Sequence, residues 1–136
     1  MLVPPVTAYV TGTALSGLRD SLARLKADAV VPAGADRFFK TRAAVTSATR
    51  AAITTCDDGS MTGAANPRTG VPDPAYSPSA DQLYMFETWP MTRLGGHWAI
   101  SAPPSLVMMP DSRAKPCQPL PPPAAGRRSP GRPRRA

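Results

Sequence analysis

Apolar residues step along residues 13–31 by threes and fours: Leu15, Leu18, Leu22, Leu25, Ala29. That spacing lines one face of an α-helix, and Arg19, Asp20, Arg24, Lys26 and Asp28 fall mostly off it. The pattern predicts an amphipathic helix of roughly five turns. Thr13 is its expected N-cap, and it should end near Val31, Pro32 and Gly34. Ahead of it, Pro4 and Pro5 block helix, so residues 1–12 read as an extended lead-in.

Over residues 41–56 the period changes. β-Branched residues recur there (Thr41, Val45, Thr46, Thr49, Ile53, Thr54, Thr55) and no leucine stripe runs through them. Val45, Ser47, Thr49, Ala51 and Ile53 form one alternating set; the other carries Arg42, Arg50 and Cys56. This predicts one long strand. Loop signals fill residues 57–80: Asp57-Asp58-Gly59, then NPRTG from Asn66 to Gly70, then Pro72-Asp73-Pro74. Asp81 to Trp89 reads as a strand dense in large side chains. Gly95-Gly96 predicts a tight hairpin turn, with His97 to Ser101 returning. A two-residue turn sets Leu94 opposite His97, Arg93 opposite Trp98 and Met91 opposite Ile100. Pro90 cannot donate to a ladder, so it marks a bulge or an edge.

Composition divides the chain at about Pro103. Ten of its 18 prolines lie from there onward. Charge divides at the same place: nine basic residues against eight acidic ones up to Ala102, then seven against one. The net charge of +7 is therefore a property of the tail. A segment of this kind cannot bury enough apolar surface to offset its ordering entropy. The expectation is an α+β domain over residues 1–102 and a disordered, basic, Pro/Arg-rich tail over residues 103–136. A GC-rich gene read in a shifted frame would give similar tail text.

Hydrophobic residues make up 42% of the chain, but many are alanines, which bury little area each. The strand Asp81–Trp89 carries Leu83, Tyr84, Met85, Phe86 and Trp89, large groups on both faces. One helix cannot cover both, so marginal stability and a homo-oligomer or a protein partner are expected. Cys56 and Cys117 would bridge only if the tail folded back; Cys56 reads instead as a small buried hydrophobe. No cysteine or histidine spacing suits a metal, and no cofactor motif occurs. Nothing approaches the roughly 20 apolar residues of a membrane span, and residues 1–10 lack the pattern of an export signal.

Several of these segments together resemble a known family. They are the helix at Thr13–Val31, AAITTCDDGS at Ala51–Ser60, the NPRTG turn, and YMFETW…RLGGHWAIS over Tyr84–Ser101. Thr13 to Ala102 resembles small actinobacterial proteins of the nuclear-transport-factor-2-like (NTF2-like, SnoaL-like) cone fold. The resemblance implies a partial cone, with one long amphipathic helix against a curved antiparallel sheet. A full cone has about three helices before its long strands, which implies a truncated start with Met1 inside a longer domain. Full-length relatives of this kind are exported or envelope-associated. The family hosts isomerases, dehydratases, ligand binders and structural modules, so fold alone does not choose among them.

The candidate functional residues each have a plainer alternative. Asp57 or Asp58 would serve as a pocket base, but aspartates before Gly59 fit turn chemistry better. His97, the sole histidine, has no partner near it in sequence and reads as a surface residue. Glu87 would titrate high if it pointed into a cone; an apolar face made of Tyr84, Phe86 and Thr88 instead leaves it on the wet side. Tyr84, Phe86, Trp89 and Trp98 line either a ligand pocket or, as favoured, a core. Arg127, Arg128, Arg132, Arg134 and Arg135 suit phosphate contacts, yet no groove-reading helix accompanies them, so nucleic acid is not the expected partner. The favoured function is a non-enzymatic ligand-binding or accessory module for a small molecule. The alternatives are a small isomerase- or dehydratase-type enzyme using Asp57, Asp58 or Glu87, and nucleic-acid association through the tail.

Overall fold

A computed structural model describes residues 5–79, 83–108 and 116–118. It is an α+β fold: one helix, α1 (Gly12–Ala27), and strands β1 (Val31–Ala33), β2 (Arg37–Val45), β3 (Arg50–Asp58), β4 (Gly63–Ala65), β5 (Tyr84–Leu94), β6 (His97–Ile100) and β7 (Ser105–Met108). The main sheet is antiparallel and runs β2-β3-β5-β6, with β7 also on β5; β1 and β4 form a separate two-stranded ribbon. The main sheet does not close on itself.

The expected helix is present but shifted toward the N-terminus. Its N-cap is Thr11 rather than Thr13, without a side-chain capping bond. Thr11 is held by the sheet instead, where its amide donates to the Ile100 carbonyl at 2.8 Å. Gly12 follows with φ of +57°, packed so closely that a Cβ there would lie 2.7 Å from the Ser101 carbonyl oxygen. The helix closes four residues before Val31. Ala29 turns into the left-handed region at φ 55°, and the Val30 amide donates back to Leu25 at 3.0 Å, a Schellman-type stop. Only Ala14 is fully buried; Leu22 of the predicted stripe is 48% exposed. The helix thus covers the sheet incompletely.

Residues 41–56 are strand, but two strands and not one. The chain reverses at residues 46–49, between β2 and β3. No glycine, proline or asparagine marks this turn; hydroxyls make it. Thr46 Oγ1 donates to the Arg50 carbonyl at 3.2 Å, and Ser47 Oγ accepts from the Thr49 amide at 3.2 Å. Such bonds let serine and threonine replace the usual turn residues. A second irregularity lies in β2, where the register shifts between Phe39 and Arg42. Lys40 sits there at φ 51°, the left-handed position of a β-bulge.

The hairpin register matches the expectation at every pair named: Leu94 with His97, Arg93 with Trp98, Met91 with Ile100. Pro90 lies within the ladder to β3, opposite Ala52. On its other side it faces the break between β6 and β7, where Ser101 donates to the Pro90 carbonyl. The boundary expected at residue 102 falls short of the last strand: Ser105–Met108 pairs with β5 from Thr88 to Met85. The tail folds back as well. Cys117 forms a disulfide with Cys56, so Cys56 is a cross-link and not a free buried hydrophobe. The rest of the expected disordered tail, with its arginines, lies outside the described residues, as do Asp81 and Gln82.

Gly34 carries the tightest backbone approach. It has φ of +79°, and a Cβ on it would stand 1.6 Å from the Met61 carbonyl oxygen. Gly34→Ala must therefore push apart the chain after β1 and the chain before β4, at the end of their own ribbon, and also hold alanine in a left-handed conformation, which itself costs about 1–2 kcal/mol. The expected loss is roughly 3 kcal/mol, read as a lower urea midpoint. A wild-type midpoint would show that this approach is not part of the folded chain.

Candidate functional site

Register decides which side chains share a face of the main sheet. Thr55 opposes Glu87, Ile53 opposes Trp89, Asp57 opposes Met85 and Phe38 opposes Asp57. These residues, with Met91 and Ile100, lie on the side that α1 crosses. Asp58, Cys56, Tyr84 and Phe86 lie on the other. The four candidate aromatics therefore do not form one cluster. Trp89 and Trp98 are on the helix side, Tyr84 and Phe86 are on the opposite side, and all four are half-buried.

On the helix side a hollow of about 520 Å³ runs between α1 and the sheet, lined among others by Val10, Ala14, Leu18, Trp89 and Ile100. It abuts a groove of about 420 Å³ lined by Phe38, Thr41, Ile53, Thr55, Trp89, Met91 and Ile100. Trp89 and Ile100 belong to both. The only polar groups lining the groove are two hydroxyls, Thr41 and Thr55, which hydrogen-bond to each other at 2.7 Å. A larger hollow of about 630 Å³, between the end of α1 and the NPRTG turn, holds no carboxyl group.

Beside the groove, where β2, β3 and β5 run together, four carboxyl groups gather. Asp57 and Asp58 lead into a turn at Gly59, as expected, and Asp58 takes part in it by accepting from the Ser60 amide, but both are buried. They are the last residues of β3 and are 3% and 2% exposed. Glu87 is not on the wet face: it is 4% exposed, between Met85 and Trp89. Asp36, in the loop before β2, is the fourth.

Their environments split them. Asp58 accepts from Arg37 at 2.6 and 3.1 Å and from the Ser60 amide at 3.1 Å. Burial alone would raise its pKa, but hydrogen bonding from Ser60 and the Arg37 guanidinium outweigh that and hold it below the ordinary range. Among the described residues no cation pairs with Asp57. Burial, then the charges of Asp36, Glu87 and Asp58, push its pKa up to about 7. Glu87 is also raised, chiefly by burial, although it accepts from Trp89 Nε1 at 2.7 Å and shares a hydrogen bond with Asp57. Asp36 is raised by burial and by the charge of Asp58, against a lowering hydrogen bond with Thr62. Asp57 Oδ1 is buried without a hydrogen-bond partner.

The arrangement is an acid pair, Asp57 and Glu87, sharing a proton at the edge of an apolar groove. It can donate or accept a hydrogen bond, or exchange a proton near neutrality. Among the described residues no group of three or more His, Cys, Asp or Glu side chains is placed to hold a metal ion. His97 stands apart from the acid pair, exposed at the hairpin, with its ring against the Ala8 carbonyl at 2.6 Å and edge-on to Tyr9. Among the described residues no helix is long and apolar enough to cross a membrane.

Sequence reasoning missed Asp36 and misplaced Glu87. A signal for Glu87 existed: it is the one charged residue in the alternating set Leu83, Met85, Trp89, Met91. No comparable signal marks Asp36. Compared with protein-family models, curated proteins and solved structures, the chain matches none.

Proposed function

We propose that this chain is a non-enzymatic ligand-binding or accessory module of the NTF2-like, actinobacterial kind, and that it holds a small, largely apolar molecule against the helix side of its sheet. The observation that carries this is the pair of hollows that share Trp89 and Ile100, lined mostly by apolar side chains, with Glu87 and Asp57 next to Thr55 and Trp89 on the same face of the sheet. Small-molecule sites have this composition, apolar walls with a few converging polar groups. An open sheet crossed by a single helix agrees with a partial cone.

Titration of the full chain with naphthylmethanol tests it by amide and side-chain chemical shifts. Shifts should concentrate at Phe38, Ile53, Trp89, Met91 and Ile100. Shifts spread over the surface, or none, would refute the proposal. So would a stable dimer that covers this face, where Phe38 is 53% and Val45 67% exposed.

One observation favours a second use. A buried aspartate titrating near 7 beside another carboxyl has the poise of a general base, as an isomerase or dehydratase needs. Proton exchange at a bound ketone, lost in Asp57→Asn while binding persists, would establish that use instead.

A further inference from the structure

Asp57 Oδ1 is buried and unpartnered, on a residue only 3% exposed. An orphaned buried acceptor is uncommon and costs about 1–3 kcal/mol. A ligand that supplies a donor would relieve it. The neighbourhood also selects the donor's charge. Asp36 from the loop before β2 acts on Asp57 by its charge, as does Asp58, which is next along β3 but points to the opposite face, where Arg37 of β2 is engaged with it. β3 adds the neutral Thr55, and β7 sets Leu106 opposite Glu87. On the helix, Arg24 lines the adjoining hollow and not the groove. Among the described residues negative charge exceeds positive around the orphaned oxygen. The groove itself offers the face of an indole and otherwise almost only hydrocarbon.

We infer that the ligand is an apolar organic cation, a protonated primary or secondary amine, whose ammonium group sits between Asp57 and Glu87 while its hydrocarbon body lies in the groove over Trp89. Two or three N–H donors fit the free Oδ1 and the Glu87 carboxylate together. An ammonium at the free Oδ1 favours the ionised form of the pair, so the shared proton is released as it binds. Binding is therefore coupled to proton release, and affinity rises with pH. A neutral ligand accepting a hydrogen bond from the protonated pair shows the opposite sign.

This inference rests on the ligand-binding function proposed above, and a matched pair of probes separates the two. Naphthylmethylamine and naphthylmethanol have the same body and differ in charge. Calorimetry on the full chain should show the amine binding roughly tenfold tighter at pH 8. Its affinity should climb by up to about tenfold per pH unit between pH 5 and 7 and then level off. At pH 6, titrations in two buffers of different ionisation enthalpy should show a proton released on wild-type protein, a readout that needs no variant. Glu87→Gln and Asp57→Asn should each reduce the preference for the amine to within about twofold. Equal affinities for the two probes, or no proton release, overturn the inference and leave the groove assignment standing. Binding of neither probe overturns both.

Discussion

Removing the disulfide should melt the chain at a temperature lower by about 15 °C or more. Cys56 and Cys117 close a loop with a sequence separation of 61. On the chain-entropy account, releasing a loop of that length from the unfolded state costs about 4 kcal/mol. For a domain of this size 1 kcal/mol corresponds to roughly 4–8 °C. The fold has little with which to absorb such a loss, because few large apolar side chains are fully buried and one helix half-covers the sheet. The cross-link also ties the end of the described chain to the face opposite α1. Cys117 is itself 1% exposed, its sulfur lies 3.9 Å from the Met85 carbonyl oxygen, and the next residue, Gln118, takes a hydrogen bond from Lys40 at the bulge of β2. The double variant Cys56→Ser/Cys117→Ser avoids stray thiols, and thermal melts with and without a dithiol reductant give the second comparison. A shift within about 2 °C in both would mean that the tail adds nothing to the domain.

The parts of this fold that the sequence discloses are those with a local cause. A leucine at every third or fourth position makes α1, and two glycines fix the hairpin register of β5 and β6 to the residue. Where the cause is distant, the same sequence misleads. Thr46 to Thr49 carry no turn residue by type, and their reversal is built by Ser47 and Thr46 bonding to backbone three-dimensionally close to them. Glu87 looked wet because Tyr84, Phe86 and Thr88 form a creditable apolar set. The other set, Leu83, Met85, Trp89 and Met91, is as apolar, and only the packing of α1 on that side decides between them. Cys117 reads as tail because its neighbours are prolines and charges, yet a single covalent bond outweighs that composition. The acid pair was half legible: Asp57 was named for a pocket role and Glu87 for a raised pKa. Nothing local said that residues 30 apart in sequence face each other, since that follows from the β3–β5 register, Thr55 with Glu87.

That pair should set how stability varies with pH, in the direction opposite to most carboxylates. The ordinary pKa of Asp57 is 3.8, and in the folded chain it is about 7. Between these values the folded chain keeps a proton that the unfolded chain has released. Stability is therefore full below about pH 4 and falls as pH rises toward 7, after which it is constant. Glu87, also raised, acts in the same sense. Asp58 acts in the other: its pKa is lowered, so its share is present above the ordinary carboxylate value and lost as pH falls through the lowered one. The two trends cross, and the chain should be most stable near pH 4–5. From pH 5 to pH 8 the loss from Asp57 is expected to be about 1–1.5 kcal/mol, the roughly two pH units up to its raised value discounted by about half for solvent screening at the groove. Asp57→Asn keeps the shape of the side chain and removes its proton equilibrium, so its urea midpoint should fall less steeply over that range, with the shares of Glu87 and Asp36 left, and exceed the wild type at pH 8. Midpoints of the wild-type chain that hold steady or rise from pH 5 to pH 8 would show that Asp57 is ionised in the folded state, and would remove the shared proton from the site.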